Sequence, residues 1–215
     1  MGLKKKRLLF LNSIAEELIT YSESLEVFSI PLIKTTPKKV DFINYDINLP
    51  WVITSQSAAK IIKEFPKVST KIYAVGQKTA SHFKGAIFPT ISNSLELAKL
   101  IKKNKEKKVL FFCGNKRRED LPNYLNLANI EVKEVVVYDT EIIDKNVNLH
   151  DYDGLAFMSP SAVNAMAKKN GFGNLKCFAI GKTTGEALSL HGQNYKLSDE
   201  PNAVSLIKAA EYFLK

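Results

Sequence analysis

The sequence predicts an α/β protein made of two similar parallel-sheet domains. Short apolar runs with strand character alternate with stretches of helical periodicity, which is typical of parallel α/β architecture. Two blocks of sequence recur in the same order in the two halves of the chain, and two polar connectors interrupt the alternation at equivalent places. A chain of 215 residues is long enough to form two small domains.

Strands are predicted where β-branched and aromatic residues form short apolar runs bounded by turn formers. These runs are 8–11, 27–33, 51–54, 72–75, 109–112, 132–138, 154–158 and 177–180, with shorter strands near 86–88 and 194–196. Helices are predicted where apolar residues recur at intervals of three and four. They cover 14–23, 57–65, 78–83, 95–103, 119–128, 162–169, 184–190 and 203–213.

An internal repeat is the most informative feature of the sequence. WVITSQSAA at 51–59 resembles LAFMSPSAV at 155–163, and IYAVGQKTA at 72–80 resembles CFAIGKTTG at 177–185. Each half therefore consists of a strand-helix-strand unit and a connector, followed by strand-Ser-helix and strand-Gly-x-x-Thr-helix.

The polar connectors at 34–49 and 139–153 occupy the same place in the two repeats. Paired crossing points are needed if the chain leaves one domain early, builds the other and returns. We therefore expect a first domain from 1–34 plus 142–215, a second from 38–139, and linkers at about 35–37 and 140–141. Two sequential domains divided near residue 105 would not need paired connectors.

Charge and cysteine usage limit the class of protein. The 31 Lys and Arg against 22 Asp and Glu give a net charge of +9, which attracts anions without identifying them. The lysines are dispersed, and no nucleic-acid motif accompanies them. No run approaches the roughly 18 apolar residues of a membrane span, and the N-terminal apolar run is too short for a secretory signal, so we expect a cytoplasmic protein. Cys113 and Cys177 lie in apolar runs without metal-ligand spacing, which predicts buried thiols.

Hydroxyl side chains recur where predicted strands lead into helices. At such turns a hydroxyl can cap the helix or bind an incoming carboxylate, and the sequence leaves both roles open. These residues are Ser55, Ser57, Thr79, Ser159, Ser161 and Thr184. Gly76 and Gly181 end strands in front of the threonine-bearing helices, where a glycine permits a tight turn and a close ligand. Neither block matches a dinucleotide fingerprint or a P-loop, so no nucleotide cofactor is expected.

Three adjacent cations, Lys116, Arg117 and Arg118, lie at the start of a predicted helix, where positive charge opposes the helix dipole. We expect at least one of them to face a ligand, an arginine more than the lysine because its fork fits a carboxylate. Tyr138 ends an apolar strand, where its phenol could donate a proton or simply pack. His82, His150 and His191 have no nucleophile or ligand cluster beside them, which disfavours triad and zinc chemistry.

Ordered blocks across nearly the whole chain resemble the uroporphyrinogen-III synthase (HemD) family. They are ITSQSA (53–58), FMSPSAV (157–163), AVGQKTA (74–80), AIGKTTGEAL (179–188) and LFFCGNKRREDLPNYL (110–125) followed by VVVYDT (135–140). The resemblance implies two similar α/β domains with flavodoxin-like halves, joined by a two-stranded linker, with a cleft between them. It also implies a monomeric lyase that needs no metal or cofactor.

The family's reaction, as the resemblance implies it, closes hydroxymethylbilane into uroporphyrinogen III with loss of water and inversion of ring D through a spiro intermediate. The implied partner is this polycarboxylate, handed over by hydroxymethylbilane synthase, with no nucleic acid and no membrane. Tyr138 is the implied catalytic residue. The expected substrate-binding residues are Ser55, Ser57, Gly76, Thr79, Asn115, Arg117, Arg118, Ser159, Ser161, Gly181, Thr183 and Thr184.

One block departs from the family pattern. Many members have Thr-Arg-Pro after the first strand, whereas this chain has Leu11-Asn12-Ser13, which puts one carboxylate contact in doubt. Two other classes of protein stay open. A non-catalytic two-domain protein could bind a tetrapyrrole or another polyanion without turnover, and the charge alone would also suit a nucleic-acid-binding protein.

Overall fold

The computed structural model describes residues 4–65 and 71–215, which form two compact units. One unit comprises Met1–Lys34 and Glu141–Lys215, and the other comprises Thr35–Thr140. We call them unit 1 and unit 2. Within the described residues no helix is long and apolar enough to cross a membrane.

The strands and helices alternate along most of the chain. The strands are β1 (Lys6–Phe10), β2 (Leu25–Ser29), β3 (Ile33–Pro37), β4 (Trp51–Ile53), β5 (Ile72–Ala74), β6 (Lys108–Gly114), β7 (Glu131–Ile142), β8 (Gly154–Phe157), β9 (Lys176–Ala179) and β10 (Tyr195–Leu197). The helices are α1 (Gln56–Ile62), α2 (Gln77–Ala80), α3 (Ser94–Lys103), α4 (Asp120–Leu127), α5 (Pro160–Lys169), α6 (Lys182–Leu190) and α7 (Ala203–Phe213).

The sheet of unit 1 has the strand order β10-β9-β8-β1-β2. Its strands pair in parallel throughout, and Leu8 of β1 lies opposite Val27 on one side and Gly154 on the other. The first strand of the chain is therefore an interior strand of a sheet whose other members come mainly from the C-terminal part. Unit 1 needs both parts of the chain to complete its core.

The sheet of unit 2 has the order β3-β7-β6-β4-β5, and β5, β4, β6 and β7 pair in parallel. Its central strand β6 is buried on both faces, which explains its unbroken apolar sequence. Leu110 and Phe112 pack on the α1 side, whereas Phe111 and Cys113 pack on the opposite side. Cys113 and Cys177 are both buried free thiols, as the sequence predicted.

Two predicted elements near the N-terminus are wrong in extent. The expected helix at 14–23 is reduced to a 3₁₀ turn at Glu16–Leu18. The buried Ser22 hydroxyl accepts the backbone N–H groups of Ser24 and Leu25, a local side-chain turn that leads directly into β2 where the expected helix would have ended. The expected strand at 27–33 is interrupted before β3, because Pro31 has no N–H to donate to a ladder.

The two short strands were predicted with different success. The segment at 86–88 forms only an isolated bridge, in which Ile87 pairs with Tyr73. The segment near 194–196 is β10, the edge strand of the unit 1 sheet.

We expect Ser22→Ala to lower the free energy of unfolding by about 1–3 kcal/mol, the cost of leaving buried donors without an acceptor. The Ser22 hydroxyl also donates to Glu211 of α7 at 2.6 Å, so it connects the two sequence segments of unit 1. Urea denaturation measures the change. Ser24→Ala is the matched control, because the exposed Ser24 hydroxyl donates to the same carboxylate at 3.2 Å and accepts no backbone N–H among the described residues. Equal urea midpoints for Ser22→Ala and Ser24→Ala would contradict a stabilising role of the Ser22 hydroxyl.

Candidate active site

Ser55 and Tyr138 meet at the carboxyl edge of the unit 2 sheet. Ser55 follows β4 and caps α1, where its Oγ accepts the N–H of Ala58 at 3.0 Å. The Tyr138 hydroxyl, at the end of the apolar part of β7, donates to the same Oγ at 3.2 Å. Because the serine oxygen already receives two donors, the proton of the Ser55 hydroxyl can be donated to a ligand.

The Tyr138 phenol is held in its neutral form. Burial raises its pKa above the ordinary value of 10.0, the nearby Cys113 adds to this rise, and the hydrogen bond with Ser55 offsets part of it. A neutral phenol at physiological pH is a hydrogen-bond donor and a candidate proton donor. The geometry therefore supports a chemical role for Tyr138 beyond packing.

A second polar chain lies beside this pair in unit 2. The Gln56 amide donates to the Thr79 hydroxyl at 2.9 Å, and its carbonyl oxygen lies 3.2 Å from Nε2 of His82. With the amide in this orientation, His82 must donate from Nε2. The Thr79 oxygen is then an acceptor within the protein, and the Thr79 side chain is buried. Sequence reasoning missed Gln56 and His82 because neither has a nucleophile or metal-ligand spacing.

The cations after β6 already have partners in the protein. Arg117 forms ion pairs of 2.5 Å with both Glu119 and Glu134, which raise the pKa of its guanidinium, and Arg118 pairs with Asp120 at 2.7 Å. Lys116 is exposed and pairs with none of the described residues. A ligand carboxylate would have to compete for either arginine.

Asn115, the remaining candidate after β6, is turned toward the backbone of β7. Its Oδ1 accepts the N–H of Thr140 at 2.8 Å, and its own N–H donates to the carbonyl of Tyr138 at 3.1 Å. The side-chain oxygen and the backbone N–H of Asn115 are therefore both bonded to the part of β7 that begins at the Tyr138 carbonyl.

Unit 1 repeats the arrangement with a different donor. Ser159 caps α5 by accepting the N–H of Ala162 at 3.3 Å, and the Asn12 amide donates to the same Oγ at 3.2 Å. The Asn12 carbonyl oxygen also accepts the N–H of Met158 at 2.8 Å. Asn12, where the family commonly has an arginine, therefore links the end of β1 to the turn that begins α5.

The remaining hydroxyl candidates lie in the first turns of the same helices. Ser57 and Ser161 are the second residues of α1 and α5, and both are half-buried. Neither hydroxyl is engaged by another residue in the described part of the chain. In α6, Thr183 is exposed, whereas Thr184 is buried.

The two turn glycines differ in their surroundings. A Cβ at Gly76 would lie 2.3 Å from Oγ of Ser92, so this glycine is required by a contact within the protein. A Cβ at Gly181 would meet nothing within 4 Å, which leaves open space for a ligand. Both backbones are extended, with φ near 180°, and any residue could adopt them.

Metal chemistry finds no support in the described residues. No group of three or more His, Cys, Asp or Glu side chains within 4–65 and 71–215 is arranged to hold a metal ion. The residues described above offer hydroxyls, amides and helix N-termini in both units, and the half-buried phenol of Tyr138 in unit 2.

The fold and these sites define an α/β protein with two parallel-sheet units, each of which places hydroxyl donors at the carboxyl edge of its sheet. The family model for uroporphyrinogen-III synthase HemD matches residues 13–208, and the chain belongs to this family. The resemblance found in the sequence blocks is confirmed.

Individual relatives agree with this membership. The chain is 25% identical to the uroporphyrinogen-III synthase of Saccharomyces cerevisiae, over 98% of this chain and 97% of the yeast protein. The crystal structure of the Helicobacter pylori enzyme matches with a TM-score of 0.64 at 18% identity, covering 95% of this chain and 98% of that one. The crystal structure of a mutant Thermus thermophilus enzyme matches with a TM-score of 0.68 at 16% identity, covering 96% of this chain and 98% of that one. The predicted α/β fold class is confirmed.

We expect the phenol of Tyr138 to titrate above pH 10, because burial is the largest influence on its pKa. The titration curve of Tyr138 is obtained by subtracting the near-ultraviolet titration of Tyr138→Phe from that of the wild type. The folded pKa exceeds the unfolded one, so the contribution of this group to stability is full below pH 10 and is lost as the pH rises further. A difference curve with its midpoint at or below 10 would contradict the burial of the ring.

Proposed function

We propose that this chain closes the linear tetrapyrrole hydroxymethylbilane into uroporphyrinogen III, with loss of water and inversion of the last ring. The observation that carries the proposal is the half-buried phenol of Tyr138, which donates to Ser55 at the carboxyl edge of a parallel sheet in a chain of this family. Enzymes of the family are lyases, and this chemistry is an elimination followed by ring closure.

Tyr138 is the proton donor to the leaving hydroxyl in this proposal. The C–O bond of the terminal hydroxymethyl group breaks, the hydroxyl takes the phenolic proton and leaves as water, and an electrophilic azafulvenium cation remains beside the phenolate. The substituted carbon of the far ring attacks it to give a spiro intermediate, which fragments and recloses with that ring inverted. The proton lost from the pyrrole carbon when aromaticity returns restores the phenol. Ser55 stabilises the transient phenolate by turning its own proton toward it.

Hydroxyl donors bind the substrate's carboxylates in this proposal. Ser57 and Ser161 supply half-buried hydroxyls on the first turns of α1 and α5, and Thr183 supplies an exposed one on α6, whereas Thr79 is buried. Gly181 leaves room for close approach to the first turn of α6. The backbone N–H groups and dipole at the start of α5 and α6 favour negative charge. Thr184 is buried and contributes mainly to the packing of its helix.

Positioning contributes much of the rate. Bringing the two ends of a flexible substrate together is worth about 7–11 kcal/mol in well-oriented intramolecular reactions. Because the substrate also closes without help, to the uninverted isomer, the protein must select which carbon is attacked. Binding groups that fix the conformation of the chain are therefore as important as the proton donor.

Further features stay predictions from the sequence. We infer that the protein is a cytoplasmic monomer that receives its substrate from hydroxymethylbilane synthase and contacts neither nucleic acid nor membrane. We also infer domain boundaries at 1–34 plus 142–215 and at 38–139. The alternative of a binding protein without turnover is not favoured by the matches to synthases.

The proposed activity is tested by isomer analysis. Hydroxymethylbilane generated in situ is mixed with the purified protein, and the oxidised products are separated into type I and type III uroporphyrins. We expect type III far above the no-enzyme control. Type I alone, together with bound tetrapyrrole, would overturn the proposal in favour of a non-catalytic binding protein.

We expect Tyr138→Phe to lower kcat at least about tenfold, because proton donation contributes about 10²–10⁴-fold in typical enzymes. KM should change little, because a phenyl ring still fills the site. Tyr124→Phe is a matched control, since this half-buried tyrosine of unit 2 packs on the opposite face of the sheet. Wild-type turnover by a properly folded Tyr138→Phe would contradict the role of the phenol.

A further inference from the structure

A break in the strand register lies directly before the proposed catalytic tyrosine. Along β6 and β7 the parallel pairs advance one residue at a time until Cys113 lies opposite Val136. The next pair is Gly114 with Tyr138, so Val137 has no partner of its own in β6. This extra residue in one strand is a β-bulge, a feature that bends a strand and re-aims its side chains.

The bulge changes the face of the sheet on which Tyr138 lies. Side chains alternate along a strand, and Val135 and Val137 pack on the α1 face while Val136 packs on the other. Regular alternation would place Tyr138 with Val136. Tyr138 instead packs with the α1-face cluster, which is where Ser55 caps the helix.

Gly114 provides the space that the re-aimed ring occupies. A Cβ on this residue would lie 2.3 Å from Cε2, 2.4 Å from Cζ and 2.9 Å from the hydroxyl oxygen of Tyr138. Its backbone does not have a positive φ, so the need for glycine is one of space rather than conformation. Any side chain here must displace the ring.

Asn115 fixes the backbone of β7 directly after the tyrosine, on the two sides of Asp139. Its N–H donates to the Tyr138 carbonyl at 3.1 Å, and its Oδ1 accepts the N–H of Thr140 at 2.8 Å. The side-chain oxygen takes the place that a strand carbonyl would have if the ladder continued. Without it, the Thr140 N–H, in a residue that is 7% exposed, would lose its acceptor.

We propose that Gly114 and Asn115 are positioning residues, which act by turning the phenol of Tyr138 toward Ser55 and holding it there. This inference rests on the role proposed for Tyr138. The family resemblance implied substrate binding for Asn115, but its side-chain oxygen accepts the N–H of Thr140 in β7.

A double-mutant cycle on kcat tests the role of Gly114. The variants are Gly114→Ala, Tyr138→Phe and the double variant, all assayed at saturating hydroxymethylbilane. We expect Gly114→Ala to lower kcat at least tenfold with little change in KM, and the double variant to be no slower than Tyr138→Phe. Wild-type kcat in Gly114→Ala, or losses that multiply in the double variant, would overturn the inference.

Titration gives a readout that does not depend on activity. In Gly114→Ala the displaced ring gains access to water, so the difference titration against Gly114→Ala/Tyr138→Phe should give a lower pKa for Tyr138 than in the wild type. An unchanged curve would sink the positioning role even if the wild type made no type III product. Failure of the proposed function alone would leave this shift in place.

Asn115 is tested by a pair of variants. Asn115→Ala removes the acceptor for the Thr140 N–H and should lower kcat, whereas Asn115→Asp keeps an acceptor oxygen and should recover most of that loss. A role in donating to a substrate carboxylate predicts the reverse order, because aspartate would repel the anion. A kcat for Asn115→Asp at or below that of Asn115→Ala would therefore overturn the positioning role.

Discussion

Parallel strand pairing is the constraint on which the candidate site depends. The carboxyl ends of parallel strands lie at one edge of a sheet, so residues that follow different strands become neighbours there. In unit 2 this brings together Ser55, which follows β4, and Tyr138 in β7, although 83 residues separate them. The same edge receives Gly76 after β5 and Asn115 after β6. Sheet order alone therefore assembles groups that no local motif connects.

The internal repeat places the same hydrogen-bond acceptor, a helix-capping serine, in both units. The units differ in the group that donates a hydrogen bond to this serine. Ser55 and Ser159 each cap a helix and each accept a second hydrogen bond from a neighbouring strand end. In unit 2 the donor is a phenol, which can release its proton. In unit 1 the donor is the amide of Asn12, which cannot act as an acid at physiological pH. The two caps are equivalent in geometry, but only the one in unit 2 carries a group that can assist a leaving hydroxyl.

Features fixed by short stretches of sequence were predicted well. The alternating strands and helices, the capping serines and the buried cysteines follow from periodicity and turn chemistry. Features that depend on distant residues were not predicted: in place of the helix expected at 14–23 there is a 3₁₀ turn, and Ser22 bonds to Glu211 of α7. The bulge before Tyr138 was also invisible, because it depends on the register between β6 and β7. The CGN sequence at 113–115 contains the glycine that makes it possible, but its ring contact requires the fold.

Because the arginines already form ion pairs within the protein, the proposed attraction of the substrate and its proposed placement depend on different groups. Arg117 lies between Glu119 and Glu134, and a ligand carboxylate that replaced either one would gain little, since exposed ion pairs are worth about 0–1 kcal/mol. The net charge of +9 still acts on a polyanion before contact, because it does not require a particular pair. Hydroxyl and backbone donors, in contrast, act only at hydrogen-bond distance and have directional preferences. In the proposed function, charge therefore concentrates the substrate, and the hydroxyls at the carboxyl edges are the groups proposed to set the conformation in which its ends meet.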